Sequence, residues 1–328
     1  MGCKKLLVLY TGGTIGMQMS AEGLAPASGF EARVRAQQKR EAQPLPQWSF
    51  AELLPPIDSA NMNQHNWLAM VAAIRAGVEQ DGCDAVLLLH GTDTLAYSAA
   101  ALSFLLLGLP APVILSGSML PAGADGSDAW GNLFGAMRAL HAGVAPGVHL
   151  YFNGTLMHGA RVSKLRSDAF DAFSVLPRQR QSPRAESIPA SIDYRQLRQP
   201  VNLAVLPLFP GVQASQLRAL LDSGVQGLLL ECYGSGTGPA GDAELLATLE
   251  AAHQRGVVLA AISQCAHGHV EFGVYAAGSQ LAATGLISAG GMTREAALGK
   301  LFALLGAGLS QTEVEHWFGL DLCGERAQ

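Results

Sequence analysis

Two threonines stand in glycine-rich turns directly after apolar runs. Thr14 lies in Thr11-Gly12-Gly13-Thr14-Ile15-Gly16, and Thr92 lies in His90-Gly91-Thr92-Asp93-Thr94. A threonine hydroxyl is a weak nucleophile that works only beside a base or a pKa-shifted partner. Lys164, in Arg161-Val162-Ser163-Lys164, is the candidate partner, because a desolvated lysine can accept a proton. Taken singly, each turn reads equally well as a capped strand-to-helix junction, and an isolated lysine reads as a surface residue. Two such turns at the ends of two strands point instead to one reactive crevice. Neither carries the G-x-G-x-x-G spacing or a Walker pattern, so nucleotide binding is the weakest reading.

The elements that must hold these residues are legible in the hydrophobic pattern. Leu6–Tyr10, Ala85–Leu89, Pro112–Leu115 and Val148–Phe152 are continuous apolar runs, each ending in small polar residues or glycine. Unbroken apolar runs, as opposed to alternating ones, predict buried parallel strands. Trp67–Gln80 and Thr94–Leu107 have helical length and composition. Strand–helix alternation with short links predicts an α/β fold with a doubly wound parallel sheet. In such sheets ligands bind beyond the carboxyl ends of the strands, where the threonine turns fall. Prolines 177, 183, 189 and 200 then punctuate a polar stretch, after which strand–helix alternation resumes from Val201 to Gly306. The expected organisation is a larger N-terminal catalytic domain (1–184), a linker (185–202) and a smaller C-terminal α/β domain (203–328).

Composition excludes several classes. Hydrophobic residues make up 49% of the 328 and charged residues 14%, so the chain is globular, not disordered. With a net charge of −5 and no basic run beyond Arg178-Gln179-Arg180 with nearby Arg184, nucleic acid is not an expected partner. No segment reads as a membrane span or signal-peptide core. Five cysteines without CxxC spacing suit a reducing, cytoplasmic compartment better than a disulfide framework or zinc site. His267-Gly268-His269 reads as a loop, so no metal is expected.

The chain resembles the bacterial L-asparaginases of the cytoplasmic type I group. The matching segments are Tyr-Thr-Gly-Gly-Thr-Ile-Gly (10–16), His-Gly-Thr-Asp-Thr (90–94), Ser163-Lys164 with Asp171-Ala172-Phe173, Cys-Tyr-Gly-Ser-Gly (232–236) and Ser-Gln-Cys (263–265). They occur in the family's order and span nearly the whole chain. The resemblance implies hydrolysis of L-asparagine without metal or cofactor, through an acyl-enzyme on Thr14. Backbone N–H groups would hold the oxyanion, and Thr92, Asp93 and Lys164 would carry the proton transfers. It also implies that Asp93 takes the substrate's α-amino group, that Ser59 and the adjoining Ala60 bind its α-carboxylate, and that Ser118 faces the leaving amide through its backbone. A homodimer or homotetramer is expected on the same ground.

The chain departs from the family at several positions. Leu24 stands where relatives carry a tyrosine that helps activate the nucleophile, so a weaker nucleophile or another proton route is expected. Asn61 stands where an aspartate is common, and Thr237 where many relatives have asparagine. Glu231, before Cys232-Tyr233, opposes in charge the arginine that some type I enzymes use to bind a regulatory asparagine, so cooperative activation is not expected. A glutaminase or related amidase of the same fold, or an amino-acid-binding homologue without turnover, remain the alternatives.

Overall fold

The computed structural model describes residues 2–20, 23–25, 27, 29–176 and 183–326. Pro177, Arg178-Gln179-Arg180, Ala21, Glu22 and Pro26 lie outside the described residues. The chain divides into two units, 1–175 and 176–328.

The first unit runs β1 (Lys5–Gly12), β2 (Gln18–Ser20), β3 (Gly23–Ala25), α1 (Phe30–Gln38), β4 (Gln47–Ile57), α2 (Gln64–Glu79), β5 (Ala85–Leu89), α3 (Leu95–Leu105), β6 (Pro112–Ser116), α4 (Ala129–Ala142), β7 (Gly147–Phe152), β8 (Thr155–His158), β9 (Val162–Lys164) and β10 (Phe173–Val175). Its main sheet has the order β4-β1-β5-β6-β7-β8. Every pairing is parallel except that of β8, which folds back on β7 through Asn153-Gly154. Among the parallel strands, the first in the chain lies between the second and the third. The connection therefore reverses direction between β1 and β5, the place beyond whose carboxyl ends such sheets bind ligands. Thr14 and Thr92 follow those two strands.

The buried runs behave as their sequence predicts. All of Ala85–Leu89 and Pro112–Ser116 are buried, and β1 is buried after its first residue. β4 is less legible because it is an edge strand, paired only to β1 and carrying Pro55 and Pro56, which an inner strand would not tolerate. α3 is buried over almost its whole circumference, so its alanines let the sheet and β9 approach closely. α2 opens on a reciprocal capping box between Asn63 and Asn66.

The second unit continues with β11 (Leu203–Pro207), α5 (Ala214–Leu221), β12 (Gly227–Cys232), α6 (Ala243–Gln254), β13 (Val258–Ser263), α7 (Ala276–Ala283), β14 (Ile287–Ser288), α8 (Arg294–Gly306) and α9 (Gln311–Gly319). Its four strands are parallel and in chain order, so this sheet has no reversal point. The polar stretch before β11 is pinned by Arg198. This buried guanidinium donates to the carbonyls of Ala303 (2.8 Å), Ile192 (2.8 Å), Asp193 (3.2 Å) and Gln196. Burial lowers its pKa to about 10, against the opposing pull of Asp193. Among the described residues, no helix is long and apolar enough to cross a membrane.

Candidate active site

Four loops meet at the carboxyl ends of β1, β4, β5 and β6, and glycines set how closely. Gly12 and Gly13 have φ of 113° and 83°, which only glycine adopts readily. A Cβ on Gly13 would stand 2.2 Å from the Gly91 nitrogen, one on Gly91 would stand 2.5 Å from Ser59 Oγ, and one on Gly117 would stand 2.2 Å from the His90 carbonyl oxygen. The Thr92 turn thus meets the Thr14 and Ser118 turns backbone on backbone and carries the Ser59 side chain against Gly91. Any side chain at these glycines would force them apart.

Thr14 opens a single 3-10 turn (Thr14–Gly16) and is half-buried. Its hydroxyl takes no partner among the described residues. Thr92 is almost fully buried, and its Oγ1 accepts a hydrogen bond from Lys164 Nζ at 3.0 Å. The same ammonium lies 2.8 Å from Asp93 Oδ1. Lys164 comes from β9, whose pairing with β10 sets it opposite Phe173. Its side chain is 18% exposed, while that of Asp93 is 66% exposed and free to meet a ligand. Because Lys164 donates to Thr92 Oγ1, the threonine's own proton is directed elsewhere.

The remaining expected site residues are placed less uniformly. Ser59 is buried, and its carbonyl accepts from Thr94 Oγ1 at 2.8 Å, which locks the β4 turn to the Thr92 turn. Ala60 is exposed, but its amide already donates to Asp58 Oδ1 at 3.2 Å. Ser118 is buried with its hydroxyl turned inward onto the Leu120 carbonyl at 2.5 Å. Asn61 is exposed, and Leu24 is 48% exposed on the β2–β3 hairpin, which pairs Met19 with Leu24.

Sequence reasoning missed the residues that hold the Ser118 turn. Asp128 accepts from the amides of Met119 (3.0 Å) and Leu120 (3.1 Å). Asn132, one helical turn later on α4, donates to Asp128 and to the Gly117 carbonyl, both at 3.0 Å, and accepts from the Asn153 amide at 2.8 Å. The Asp–Asn pair at i, i+4 was the available signal.

Beneath Thr92, His90 is fully enclosed, with Nδ1 2.6 Å from the Gly91 carbonyl oxygen and Nε2 2.8 Å from Ser98 Oγ. Burial lowers its pKa from 6.5 to about 4, partly offset by the Gly91 carbonyl. Below pH 6.5 the unfolded chain binds a proton that the native ring refuses until about pH 4. Stability is therefore full above pH 6.5 and is lost as pH falls. The His90 contribution between pH 7 and 4.5 is about 2 kcal/mol. Urea unfolding at the two pH values is expected to show that loss in the wild type, and less of it in a non-titrating His90→Asn variant.

The profile of the asparaginase N-terminal domain matches residues 5–195, and that of the glutaminase/asparaginase C-terminal domain matches residues 202–318. The chain belongs to the asparaginase family. It is 36% identical to L-asparaginase 1 of Escherichia coli, over 98% of both chains. The crystal structure of L-asparaginase I from Vibrio cholerae superposes with a TM-score of 0.87 at 34% identity, covering 99% of each chain. The chain is also similar to a Homo sapiens protein named 60 kDa lysophospholipase, 33% identical over 98% of this chain and 61% of the human one. Membership thus brings the fold, while proteins similar to this chain carry names of more than one activity.

Proposed function

We propose that this asparaginase-family chain hydrolyses L-asparagine to L-aspartate and ammonia. The observation that carries this reading is the bonded Thr92–Lys164–Asp93 group, whose Gly91 backbone packs on Gly13 of the Thr14 turn where the sheet reverses, with the Thr14 hydroxyl left without a partner among the described residues. Thr14 Oγ1 attacks the side-chain carboxamide carbon. Its proton passes to the departing nitrogen, which leaves as ammonia. Water then attacks the aspartyl ester, gives a proton back to Thr14 and releases aspartate. Lys164 and Thr92 relay the protons in both halves. The exposed carboxylate of Asp93 receives the substrate's α-amino group, and donors around Ser59 receive its α-carboxylate. With the Ala60 amide engaged by Asp58, the Ser59 side is the better α-carboxylate donor. The similarity to L-asparaginase 1 of Escherichia coli over the full chain supports asparagine as substrate.

The test is ammonia release from purified protein with L-asparagine and, in parallel, L-glutamine. A pocket shaped for the shorter side chain discriminates against one extra methylene by ~1–3 kcal/mol, or roughly 10- to 200-fold. Preference for glutamine would favour the glutaminase reading. Binding of asparagine without release, seen as thermal stabilisation alone, would favour a binding protein. The saturation curve is expected to be hyperbolic, because the position of the effector-binding arginine is held by Glu231, a buried carboxylate whose two oxygens are engaged by Arg294. A sigmoidal curve would contradict this. The free cysteines, one of them exposed, suit a cytoplasmic setting. A homodimer or homotetramer is the assembly proposed from family resemblance, and light scattering tests it.

A further inference from the structure

We propose that His90, held by Ser98 and Trp67, is a positioning residue that aims the Thr92 backbone N–H at the oxyanion formed during amide cleavage. The inference rests on the amidohydrolase reading above and adds a role for the buried His90 and Ser98 and the half-buried Trp67. A peptide unit is planar and trans, so its C=O and N–H point in opposite directions. His90 Nδ1 lies 2.6 Å from the Gly91 carbonyl oxygen. Holding that oxygen turns the N–H of the same peptide, which is the Thr92 amide, away from the imidazole. That amide has no partner among the described residues. It belongs to the residue whose hydroxyl Lys164 engages. A donor oriented before the reaction and lacking a protein partner is what stabilisation of a developing oxyanion requires.

The geometry also specifies where the ring proton sits. Two acceptors 2.6 Å apart would repel, so Nδ1 carries hydrogen and donates to Gly91. Nε2 must then accept. Ser98 Oγ lies 2.8 Å from it and itself accepts from the Trp67 indole N–H at 2.8 Å. An indole can only donate, which leaves the serine proton for Nε2. The direction of the chain is thus Trp67 to Ser98 to His90 to Gly91, across α2, α3 and the turn after β5. Burial keeps the ring uncharged at neutral pH, so one tautomer persists through the operating range. Removing the Ser98 hydroxyl takes away the donor that anchors Nε2, so the ring keeps its Nδ1 proton but loses one of its two holds, can tilt from the Gly91 oxygen and lets the peptide rotate.

The experiment combines kinetics of ammonia release from L-asparagine with NMR of the histidine ring nitrogens in isotopically labelled protein. The wild type is expected to show His90 as the Nδ1–H tautomer. Ser98→Ala is expected to lose about 10²-fold in kcat, the scale of one oxyanion donor, with KM changed less than about threefold. His90→Asn can donate from the position of Nδ1, and it is expected to retain at least tenfold more kcat than His90→Leu. Melting curves run alongside identify any variant that fails to fold, and Ser98→Ala carries the test if His90→Leu does so. An Nε2–H tautomer in the wild type, or Ser98→Ala with kcat within twofold of wild type, would overturn the proposal. Equal losses in folded His90→Asn and His90→Leu would overturn it as well. An inactive wild type would overturn the asparaginase reading itself, and the role of His90 with it. An active wild type with an indifferent Ser98→Ala would overturn the positioning role alone.

Discussion

Thr14→Ala is expected to abolish ammonia release from L-asparagine, with kcat at least about 10⁴-fold below wild type, as when the nucleophile of a covalent mechanism is removed. The same change is expected to leave stability within about 0.5 kcal/mol, the range of substitutions that break no structural contact. The two expectations separate because the Thr14 hydroxyl has no partner among the described residues, and its turn is shaped by Gly12 and Gly13, not by its side chain. Thr92→Val is expected to be different in kind. It removes the acceptor of a Lys164 hydrogen bond, so it loses turnover and also frees a partly buried ammonium to rely on Asp93 alone. Kinetics and melting curves on the pair of variants distinguish a nucleophile from a relay. If Thr14→Ala kept a tenth of wild-type turnover, the acyl-enzyme mechanism on that residue would be wrong.

The second large effect lies in the C-terminal unit. Lys300, on α8, is 0% exposed, and so is its partner Glu325, 2.5 Å away. The ammonium also donates to the carbonyls of Leu320 (2.5 Å) and Phe318 (3.2 Å), and the carboxylate accepts from the amides of Leu322 (3.0 Å) and Cys323 (2.9 Å). Every lone pair and proton has somewhere to go, which is what makes a buried ion pair tolerable. Lys300→Met leaves a buried carboxylate unpaired and is expected to cost ~3–5 kcal/mol, lowering the midpoint of thermal unfolding by on the order of 10 °C. The double replacement Lys300→Met with Glu325→Met is expected to recover most of that loss, because no charge is then stranded. A single variant as stable as the wild type would show that the pair contributes nothing.

The same pair sets an acid limit. Burial alone would raise the Glu325 carboxyl, but Lys300 and the Cys323 amide outweigh it and hold the pKa at about 2, against an ordinary 4.5. The folded state therefore binds its proton later than the unfolded one. The resulting stability is complete above pH 4.5 and is lost as pH falls toward 2.

Much of this molecule could be read from residue order. The apolar runs Leu6–Tyr10, Ala85–Leu89 and Pro112–Leu115 declare buried parallel strands, because a strand covered on both faces has no polar side to alternate with. Glycine doublets and Gly–Thr pairs at their ends mark where backbone must approach backbone. Two such turns together point to one candidate site, since a parallel sheet offers its crevice at those ends. Other features are invisible along the chain because they depend on which segments meet. Lys164 joins Thr92 and Asp93 from more than 70 residues away, and nothing local distinguishes it from a surface lysine. Composition would make Lys300 a solvated residue, but Glu325 and two carbonyls make its burial possible. The inward turn of the Ser118 hydroxyl, the engaged Ala60 amide and the hold of Asp128 and Asn132 on the Ser118 turn are likewise settled by packing. Side-chain type records what chemistry is available. Hydrogen-bond direction and burial, which arise only when strands and helices close on one another, determine which atoms are left free to perform it.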